Sequence, residues 1–558
     1  MSKSFSNFVT IKSLNNMSAK LHFREHINNQ LVLFPERIDK DIAPDDPVRL
    51  VNAVIDSLDM GRIYSLYYGH GASPYHPRMM LKVIIYGYMN NIYSCRRMES
   101  ALKRDVHFIW LAGYDQPDHK TINNFRNRVK EEIDNVFTQL VLILAERGFI
   151  SLEVEYIDGT KMESKANKYT FVWKKTVVRN RARLMEKIRA LLNQIDEAIA
   201  QENAARDESV EFTPAQLTEI CEELRGSIER ASAESAKDKE DKARLRELKR
   251  QAKELEKQRD KLDEYDSRLE QLGDRNSMSK TDPAATFMRT KEDAMNNGQT
   301  KPGYNVQIST ENQYITNYGI YWRPNDQGTL IPFMTSFSDR YGVQSEKVVA
   351  DAGYGSEQNY AWLEDNRIEA FVKYNMFHAE DKRKYRDDPF LVQNLHYNEE
   401  EDYYVCPMGQ HMEHIGDVKS KSDLGYVSTI SRYRAHNCTG CPLRCMCYKG
   451  KGDCRIIEVN HKNDGYKAKA KERLTSEEGL YHRSMRPIEP EAVFGDIKSD
   501  HGFKRFRLRG DAKVSVEFGL VALAHNLRKY AKVQTLNHPV TTEPAVALLP
   551  ENEANNAA

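Results

Sequence analysis

Long hydrophobic runs are absent from this sequence of 558 residues. The first residues, Met1-Ser2-Lys3-Ser4-Phe5, lead into polar sequence and not into the apolar segment of a secretory signal peptide. The apolar stretch at residues 140–145 matches a buried helix segment and falls far short of the roughly 20 residues that cross a bilayer. We therefore expect a cytoplasmic protein without membrane contact.

A surplus of charge of one sign is also lacking, because 82 Lys and Arg balance 82 Asp and Glu. The overall charge thus gives no indication of nucleic-acid binding, and only local patches create an attractive field. Residues 497–534 form such a patch, with nine basic residues against three acidic ones, a net charge of +6. We expect this basic segment to contact phosphates.

Cysteine is scarce except in one segment, since six of the eight cysteines lie between residues 406 and 454. A cytoplasmic location argues against structural disulfides. A Cys-x2-Cys pair with further cysteines nearby favours a tetrahedral, structural zinc site in a zinc ribbon. The preferred ligands are Cys406, Cys438, Cys441 and Cys447, with Cys445 and Cys454 as substitutes. The alternatives are free thiols or a vestigial ribbon.

Gly and Pro are nearly absent from residues 174–274, where Arg, Lys, Glu and Gln dominate. Two apolar stripes at helical spacing, one near Leu184–Ile199 and one near Leu245–Leu269, predict an antiparallel coiled-coil hairpin. A third, short helix is expected at residues 214–231. The segment is interpreted as an inserted coiled coil that acts as a spacer, a dimer arm or a solvated insertion.

Helical spacing of apolar residues dominates residues 47–148 and predicts an all-α N-terminal domain at 1–148. Its last short helices, ending in residues 118–128, resemble a helix-turn-helix module. Lys120, Arg126 and Arg128 in that stretch carry side chains able to contact DNA phosphates. The alternative is a helical cap domain without DNA contact.

Two apolar strands each end in an aspartate followed closely by glycine. Residues 152–159 end in Asp158-Gly159, and residues 347–353 contain Asp351-Ala352-Gly353. The carboxyl ends of strands in α/β sheets are where catalytic groups collect. Either aspartate alone is equally compatible with a turn residue, so the expectation rests on the pair.

A third carboxylate is expected from Glu491, because Lys498 follows it by seven residues, almost two helical turns. The competing glutamate is Glu489, which lacks a lysine at that spacing. Pro490 fits the first turn of a helix that would place Glu491 near its N-terminus. Arg486 is the candidate for a bidentate phosphate clamp.

Three carboxylates from separate segments suit metal-assisted phosphodiester chemistry. Two Mg²⁺ or Mn²⁺ ions about 4 Å apart would activate the attacking oxygen and hold the leaving oxygen. Asp158, Asp351 and Glu491 are the predicted ligands, and which aspartate bridges both ions stays open. Lys498 is expected near the scissile phosphate. Further phosphate contacts are expected from Lys504, Arg505, Arg507 and Arg509.

In this order the motifs resemble bacterial insertion-sequence transposases of the DDE class. Residues 73–82 and 117–122 resemble the InsH-type N-terminal domain. The acidic motifs are Asp-Gly-Thr-Lys at 158–161, Asp-Ala-Gly-Tyr-Gly at 351–355 and Glu-x6-Lys at 491–498. Residues 522–529 are also typical of the group, and the resemblance covers roughly residues 20–532. The chain departs from the related Tyr-x2-Arg-x3-Glu-x6-Lys signature, since its Tyr-x2-Arg half is shifted.

The resemblance implies a multidomain α/β protein with an RNase H-like mixed-sheet core, assembled from residues 149–173, 275–400 and 455–535. A Cys-rich insertion would occupy 401–454, and residues 536–558 would form a disordered tail. It also implies a nucleoid-associated enzyme that binds terminal inverted repeats and target DNA, cuts and transfers strands with Mg²⁺, and works as a dimer or larger. The alternatives are an inactive, domesticated DNA-binding descendant and a related nuclease without strand transfer.

Overall fold

The computed structural model describes residues 37–67, 73–199, 211–233, 239–290 and 299–537. The chain divides into two compact units, residues 1–43 and 44–558. The described part of the first unit holds a 3₁₀ turn at Ile38–Asp41. None of the described helices is long and apolar enough to cross a membrane.

The second unit begins with helices, which confirms the predicted helical character of the N-terminal region. They are α1 (Pro47–Ser57), α2 (Gly61–Ser65), α3 (Pro77–Met89), α4 (Cys95–Ala101), α5 (Val106–Ala112), α6 (His119–Arg128) and α7 (Ile133–Glu146). Carboxylates cap three of the starts, and Asp105 accepts from the backbone N–H of His107 at the start of α5. Asp46 accepts from the backbone N–H of Val48, and Asp118 accepts from that of Thr121.

A mixed sheet and three long helices follow along the chain. The elements are β1 (Val154–Glu163), β2 (Phe171–Trp173), α8 (Lys174–Ile199), α9 (Pro214–Ala233), α10 (Lys239–Leu272), β3 (Ser277–Ser279), β4 (Thr286–Arg289), β5 (Thr300–Glu311), β6 (Tyr314–Tyr321), α11 (Leu330–Tyr341), β7 (Lys347–Ala350), α12 (Glu357–Asp365) and β8 (Glu369–Val372).

The main sheet has the strand order β4-β5-β1-β7-β8, with β6 also paired to β5. Strand β1 runs antiparallel to β5 and parallel to β7, and β8 runs parallel to β7. The parallel strands are short and apolar, and their side chains join a core with α11 and α12. Strand β7 therefore ends beside the middle of β1, which does not end at Asp158 as predicted but continues to Glu163.

Helices α8, α9 and α10 leave this sheet through the β2–β3 ribbon, which pairs Phe171 with Ser279. The two predicted apolar stripes lie largely in one core, in which Ile188, Leu255 and Leu262 are buried. The expected third helix is present as α9 and contributes Leu217 to this core.

A second, antiparallel sheet follows, outside the first. The elements are α13 (Arg383–Arg386), a 3₁₀ turn (Val392–Asn394), β9 (His396–Asn398), β10 (Tyr403–Val405), β11 (His411–Lys421), β12 (Val427–Ala435), α14 (Arg444–Cys447) and β13 (Ile456–Val459). The strands follow the order β13-β12-β11-β10-β9. Met412, Tyr433 and Ile457 are central to its core.

The C-terminal part is helical and contains two π-helical turns. The elements are α15 (His461–Thr475), α16 (Glu477–Met485), a π turn (Pro487–Glu491), α17 (Ala492–Gly495), a second π turn (Asp496–Asp500) and α18 (Asp511–Asn537). The predicted tail at 536–558 lies outside the described residues from position 538 onward.

Candidate active site

The first predicted acid, Asp158, lies within β1, opposite Ile308 of β5. Its side chain is 14% exposed. The next residue, Gly159, has no room for a side chain, because a Cβ there would lie 2.8 Å from Oδ1 of Asp326. Glycine at this position therefore lets another acidic segment approach β1 closely.

The second predicted acid, Asp351, follows β7 directly. Its Oδ1 accepts a 2.7 Å hydrogen bond from the backbone N–H of Gly353, which fixes the turn. Since β7 is the parallel neighbour of β1 and Tyr156 pairs with Val349, Asp351 leaves β7 beside the part of β1 that carries Asp158.

Arg486 links the first acid to the third. Its Nη2 lies 3.6 Å from Oδ1 of Asp158 and 4.0 Å from Oε1 of Glu491. The Arg486 side chain is 8% exposed, whereas that of Glu491 is 53% exposed. A buried guanidinium thus lies near one half-buried and one exposed carboxylate.

The helical segment that carries Glu491 differs from the prediction in one respect. Pro490 lies inside a π-helical turn and not in the first turn of a new helix, and the backbone at Arg486 is already helical. Proline has no N–H to donate to the preceding turn, so the wider turn accommodates both Pro487 and Pro490. Glu491 therefore lies in the middle of a continuous helical stretch, and not near an N-terminus.

Lys498 lies in the second π turn and reaches β1. Its Nζ donates a 2.8 Å hydrogen bond to Oγ1 of Thr160 and lies 3.5 Å from the carbonyl oxygen of Lys161. The structure therefore brings both ends of the Glu-x6-Lys motif to the strand that carries Asp158.

The competing glutamate, Glu489, has a different environment. Its side chain is buried, its Oε2 accepts a 2.8 Å hydrogen bond from the backbone N–H of Gln313, and burial raises its pKa. It is thus bound to the turn between β5 and β6.

Asp326 is an acid at this site that sequence reasoning missed. Its Oδ1 accepts hydrogen bonds from Nδ2 of Asn305 (2.6 Å) and Nε2 of Gln307 (2.9 Å), both on β5. A Cβ on Gly353 would lie 3.6 Å from Oδ2 of Asp326 and 3.0 Å from Oδ1 of Asp351. Asp326 therefore lies close to Gly159, next to Asp158, and close to Gly353, in the turn of Asp351. The sequence offered one hint, an acid in a Pro-Asn-Asp-Gln-Gly loop.

The pKa of the buried Tyr354 hydroxyl is affected by the charges of the acidic site. Burial raises its pKa well above the ordinary value, and the negative charges of Asp326, Asp158 and Asp351 raise it further, while Arg486 opposes them. The Tyr354 hydroxyl donates to Oε1 of Gln307, the amide that also holds Asp326. The three carboxylates are thus all close enough to Tyr354 to raise the pKa of its hydroxyl.

Lys373 supplies a further cation, which the sequence did not indicate. It follows β8, and burial lowers its pKa, as do Arg486 and Arg483, while Asp351 and Glu491 act in the opposite direction. The site therefore combines several carboxylates with buried or half-buried cations.

Within the described residues, no group of three or more His, Cys, Asp or Glu side chains is arranged to hold a metal ion. The donor chemistry nevertheless fits a hard divalent cation, because Asp158, Asp351 and Asp326 offer carboxylate oxygens and all three raise the pKa of Tyr354.

The zinc prediction is not supported by the structure. All eight cysteines are free thiols, and Cys406, Cys438, Cys441 and Cys447 do not form a metal-binding group among the described residues. Arg455 lies among them instead. Its backbone N–H donates to Sγ of Cys438 at 3.4 Å, and its Nη1 donates to Sγ of Cys447 at 3.0 Å. A guanidinium beside these thiols disfavours a cation in the same place.

Most arginines of the basic segment bind protein groups. Arg505 donates to the carbonyl oxygens of Ser164 and Ala166, each at 3.0 Å. Arg509 donates to that of Lys165 at 2.8 Å, and the Arg507 guanidinium lies 5.2 Å from the centre of the Tyr93 ring. Lys504 is exposed. Arg505 and Arg509 therefore hold the chain that follows β1, a role that the count of charges did not predict.

The three basic residues predicted to contact DNA from the helix-turn-helix region differ in their exposure. Lys120 is exposed on α6, and Arg128 is exposed with its guanidinium 4.5 Å from the centre of the Tyr67 ring. Arg126 is 6% exposed and donates to Oδ1 of Asn123. Its side chain is packed inside the helical region, so a phosphate contact by Arg126 stays a prediction that its burial does not favour.

The motif at 522–529 fixes the helical segment of Glu491 to the sheet. Nδ1 of His525 lies 2.9 Å from Oδ2 of Asp496, and its Nε2 lies 2.9 Å from the carbonyl oxygen of Gln313. Asn526 exchanges two 2.8 Å hydrogen bonds with the backbone of Ile315 on β6. Helix α18 is therefore the support on which the third acid is positioned.

Two family models match parts of the chain. The model described as "Transposase DDE domain" matches residues 405–531, and the model described as "Transposase domain (DUF772)" matches residues 36–128. The first range contains Glu491 and Lys498, whereas Asp158 and Asp351 lie outside both ranges. No curated protein matches the chain.

Proposed function

We propose that this chain, which its two domain matches support as an insertion-sequence DDE transposase, cleaves and joins DNA strands at Asp158, Asp351 and Glu491. The transposase role follows from the families. The observation that carries the chemistry is the pairing of Arg486 with both Asp158 and Glu491, where Asp351 leaves the neighbouring strand β7.

An RNase H-like core is part of this proposal. The strand order supports it, since β6, β5 and β1 are antiparallel neighbours while β7 and β8 continue the sheet in parallel. This order places the acid of β1 beside the acid after β7. A later helical segment then supplies the third acid to the same part of the sheet.

Divalent ions are the cofactor that DDE transposases generally use. We infer that Asp158, Asp351 and Glu491 would hold them, with Asp326 beside them. Bound there, such ions supply activation of the attacking oxygen and neutralisation of the leaving oxygen.

The protein's own cations position the carboxylates and contact the DNA phosphates. Arg486 holds Asp158 and Glu491 in one place before DNA arrives. Lys498 places positive charge on the Asp158 strand, where a phosphate would come to lie. Lys504, Lys120 and Arg128 are exposed and are proposed as contacts to duplex DNA, both to terminal inverted repeats and to the target. Action on two element ends favours a dimer or larger assembly.

The substitution Asp158→Asn tests this proposal. It removes a carboxylate charge while keeping the shape of the side chain, so binding to labelled element-end DNA should persist and Mg²⁺-dependent cleavage should disappear. Binding without cleavage by the unaltered protein would favour the inactive DNA-binding descendant. Cleavage without joining of the 3′ end to a target would favour the nuclease.

A further inference from the structure

A cavity of about 1570 Å³ lies beside the acidic site. Its walls come from the base of the helical insertion (Trp173, Lys174), the loop around Asp326 (residues 322–327), the turn after Asp351 (residues 355–358) and the tip of the β11–β12 hairpin (residues 422–428). Small-molecule pockets measure about 300–1,000 Å³, so this cavity has room for a larger ligand.

Aromatic rings form one wall of the cavity. Trp173 and Phe287 lie with ring centroids 6.1 Å apart, and Trp173 remains 38% exposed. Trp322 is half-buried, and the guanidinium of Arg323 lies 4.6 Å from the centre of its ring. Partly exposed indole rings with a neighbouring arginine are a stacking surface for unpaired bases.

Amides and a balanced charge complete the lining. Side-chain amides suited to base edges come from Asn276, Asn325, Gln327, Gln358, Asn375 and Asn463. Three cations (Lys174, Arg323, Lys467) face three anions (Asp274, Glu357, Asp423). Surfaces that bind duplex DNA are strongly positive, so this lining favours contact with bases over contact with a duplex backbone.

The cavity borders the segments that carry two of the acids, although the acids themselves do not line it. Asn325 and Gln327, which line it, flank Asp326, and Gly355 and Ser356 belong to the turn that begins at Asp351. The opposite wall is fixed by the hairpin tip. Leu424 packs closely on Gly328, since a Cβ added to Gly328 would lie 3.0 Å from Cδ2 of Leu424. The Tyr426 hydroxyl donates a 3.0 Å hydrogen bond to Oε1 of Glu357.

We propose that this cavity binds a short run of unpaired DNA nucleotides, with bases stacked on Trp173 and Trp322, as the strand leaves or approaches the acids. The inference deepens the proposed function and rests on it, since it assigns a single strand to the same site. It also gives the β11–β12 hairpin a role as the far wall of the strand's path.

The test measures binding and not cleavage. The full chain is titrated against a fluorescent oligo-dT of about ten nucleotides, and separately against a duplex of the same length, by anisotropy in the presence of a chelator. The variants are Trp173→Ala and Trp322→Leu. Tyr169→Ala is the matched control, because Tyr169 is a 70% exposed aromatic that does not line the cavity.

We expect each tryptophan variant to bind the single strand about tenfold more weakly or worse, with duplex binding and the Tyr169→Ala protein unchanged. Trp322→Phe keeps a ring and should restore most of the affinity, which separates stacking from misfolding. Unaltered strand binding by both tryptophan variants, or an equal loss for strand and duplex, would overturn the inference. Because the chelator removes cleavage, a failure of the proposed catalysis would leave this result untouched.

Discussion

Nζ of Lys498 donates a 2.8 Å hydrogen bond to Oγ1 of Thr160 and so joins the second π-helical turn to the strand that carries Asp158. This contact explains the Glu-x6-Lys spacing, because it sets how far Lys498 lies from Glu491 along the helical segment. Glu491 lies beside Arg486 at one end of this helical segment, and Lys498 reaches β1 at the other. The segment therefore places an acid and a cation on the same strand edge.

The charge of Lys498 can be separated from its hydrogen bond. Lys498→Gln keeps a donor but removes the charge, and it should slow single-turnover DNA cleavage by at least about tenfold. Thr160→Val removes the acceptor but leaves the charge, and it should have a much smaller effect. Equal rates for these two variants would show that the charge of Lys498 contributes nothing beyond its hydrogen bond to Thr160.

Asp326 should matter almost as much as the acids predicted from sequence. Asp326→Asn keeps an Oδ1 acceptor for Asn305 and Gln307 but removes the charge near Asp158 and Asp351. We expect an unchanged melting temperature, slower cleavage and a requirement for more Mg²⁺. Asp339→Asn, at an exposed acid on α11, is the control, and identical cleavage by both variants would refute a role for Asp326.

Asp158 and Asp351 could be predicted because a strand, an acid and a glycine follow one another locally in the sequence. Asp326 could not, because its partners are amides on β5 and its neighbours are glycines on two other segments. Those contacts exist only after the sheet has formed. The same fold explains the glycine after Asp158, since a Cβ on Gly159 would collide with Gln307 and Asp326.

The number of basic residues in a segment is a weak predictor of which side chains contact DNA. Arg505 and Arg126 are basic residues in predicted DNA-binding stretches, yet one holds backbone carbonyls and the other is buried. A guanidinium donates equally well to a phosphate and to a carbonyl oxygen, so sequence alone does not distinguish the two. The first π turn was also missed. Two prolines close together in a helical stretch are usually read as the end of a helix, and the sequence does not show that a wider helical turn accommodates them.

Glu155 on β1 makes the stability of the fold depend on pH. It is fully buried, and burial raises its pKa from 4.5 to about 7, although Ser345 donates to it at 2.7 Å. Between these pKa values the folded protein keeps a proton that the unfolded chain releases. Stability should therefore fall as pH rises from about 4.5 through 7, by up to about 3 kcal/mol.

Melting temperatures at about pH 5 and pH 8 test this dependence. Glu155→Gln has no proton to lose, so its melting temperature should change less between the two values than that of the unaltered protein. The exposed neighbour substitution Glu153→Gln should keep the original dependence. A Glu155→Gln protein with the full original pH dependence would contradict the assignment.

In the proposed mechanism Glu491, and not Glu489, completes the acidic site with Asp158 and Asp351. The most direct measurement is Mg²⁺-dependent cleavage of labelled DNA that carries the source element's end, with the unaltered protein, Glu491→Gln and Glu489→Gln compared side by side. We predict that Glu491→Gln binds the DNA but does not cut it, while Glu489→Gln still cuts once its stability has been checked. Cleavage by the Glu491→Gln protein at the unaltered rate would contradict the proposed site.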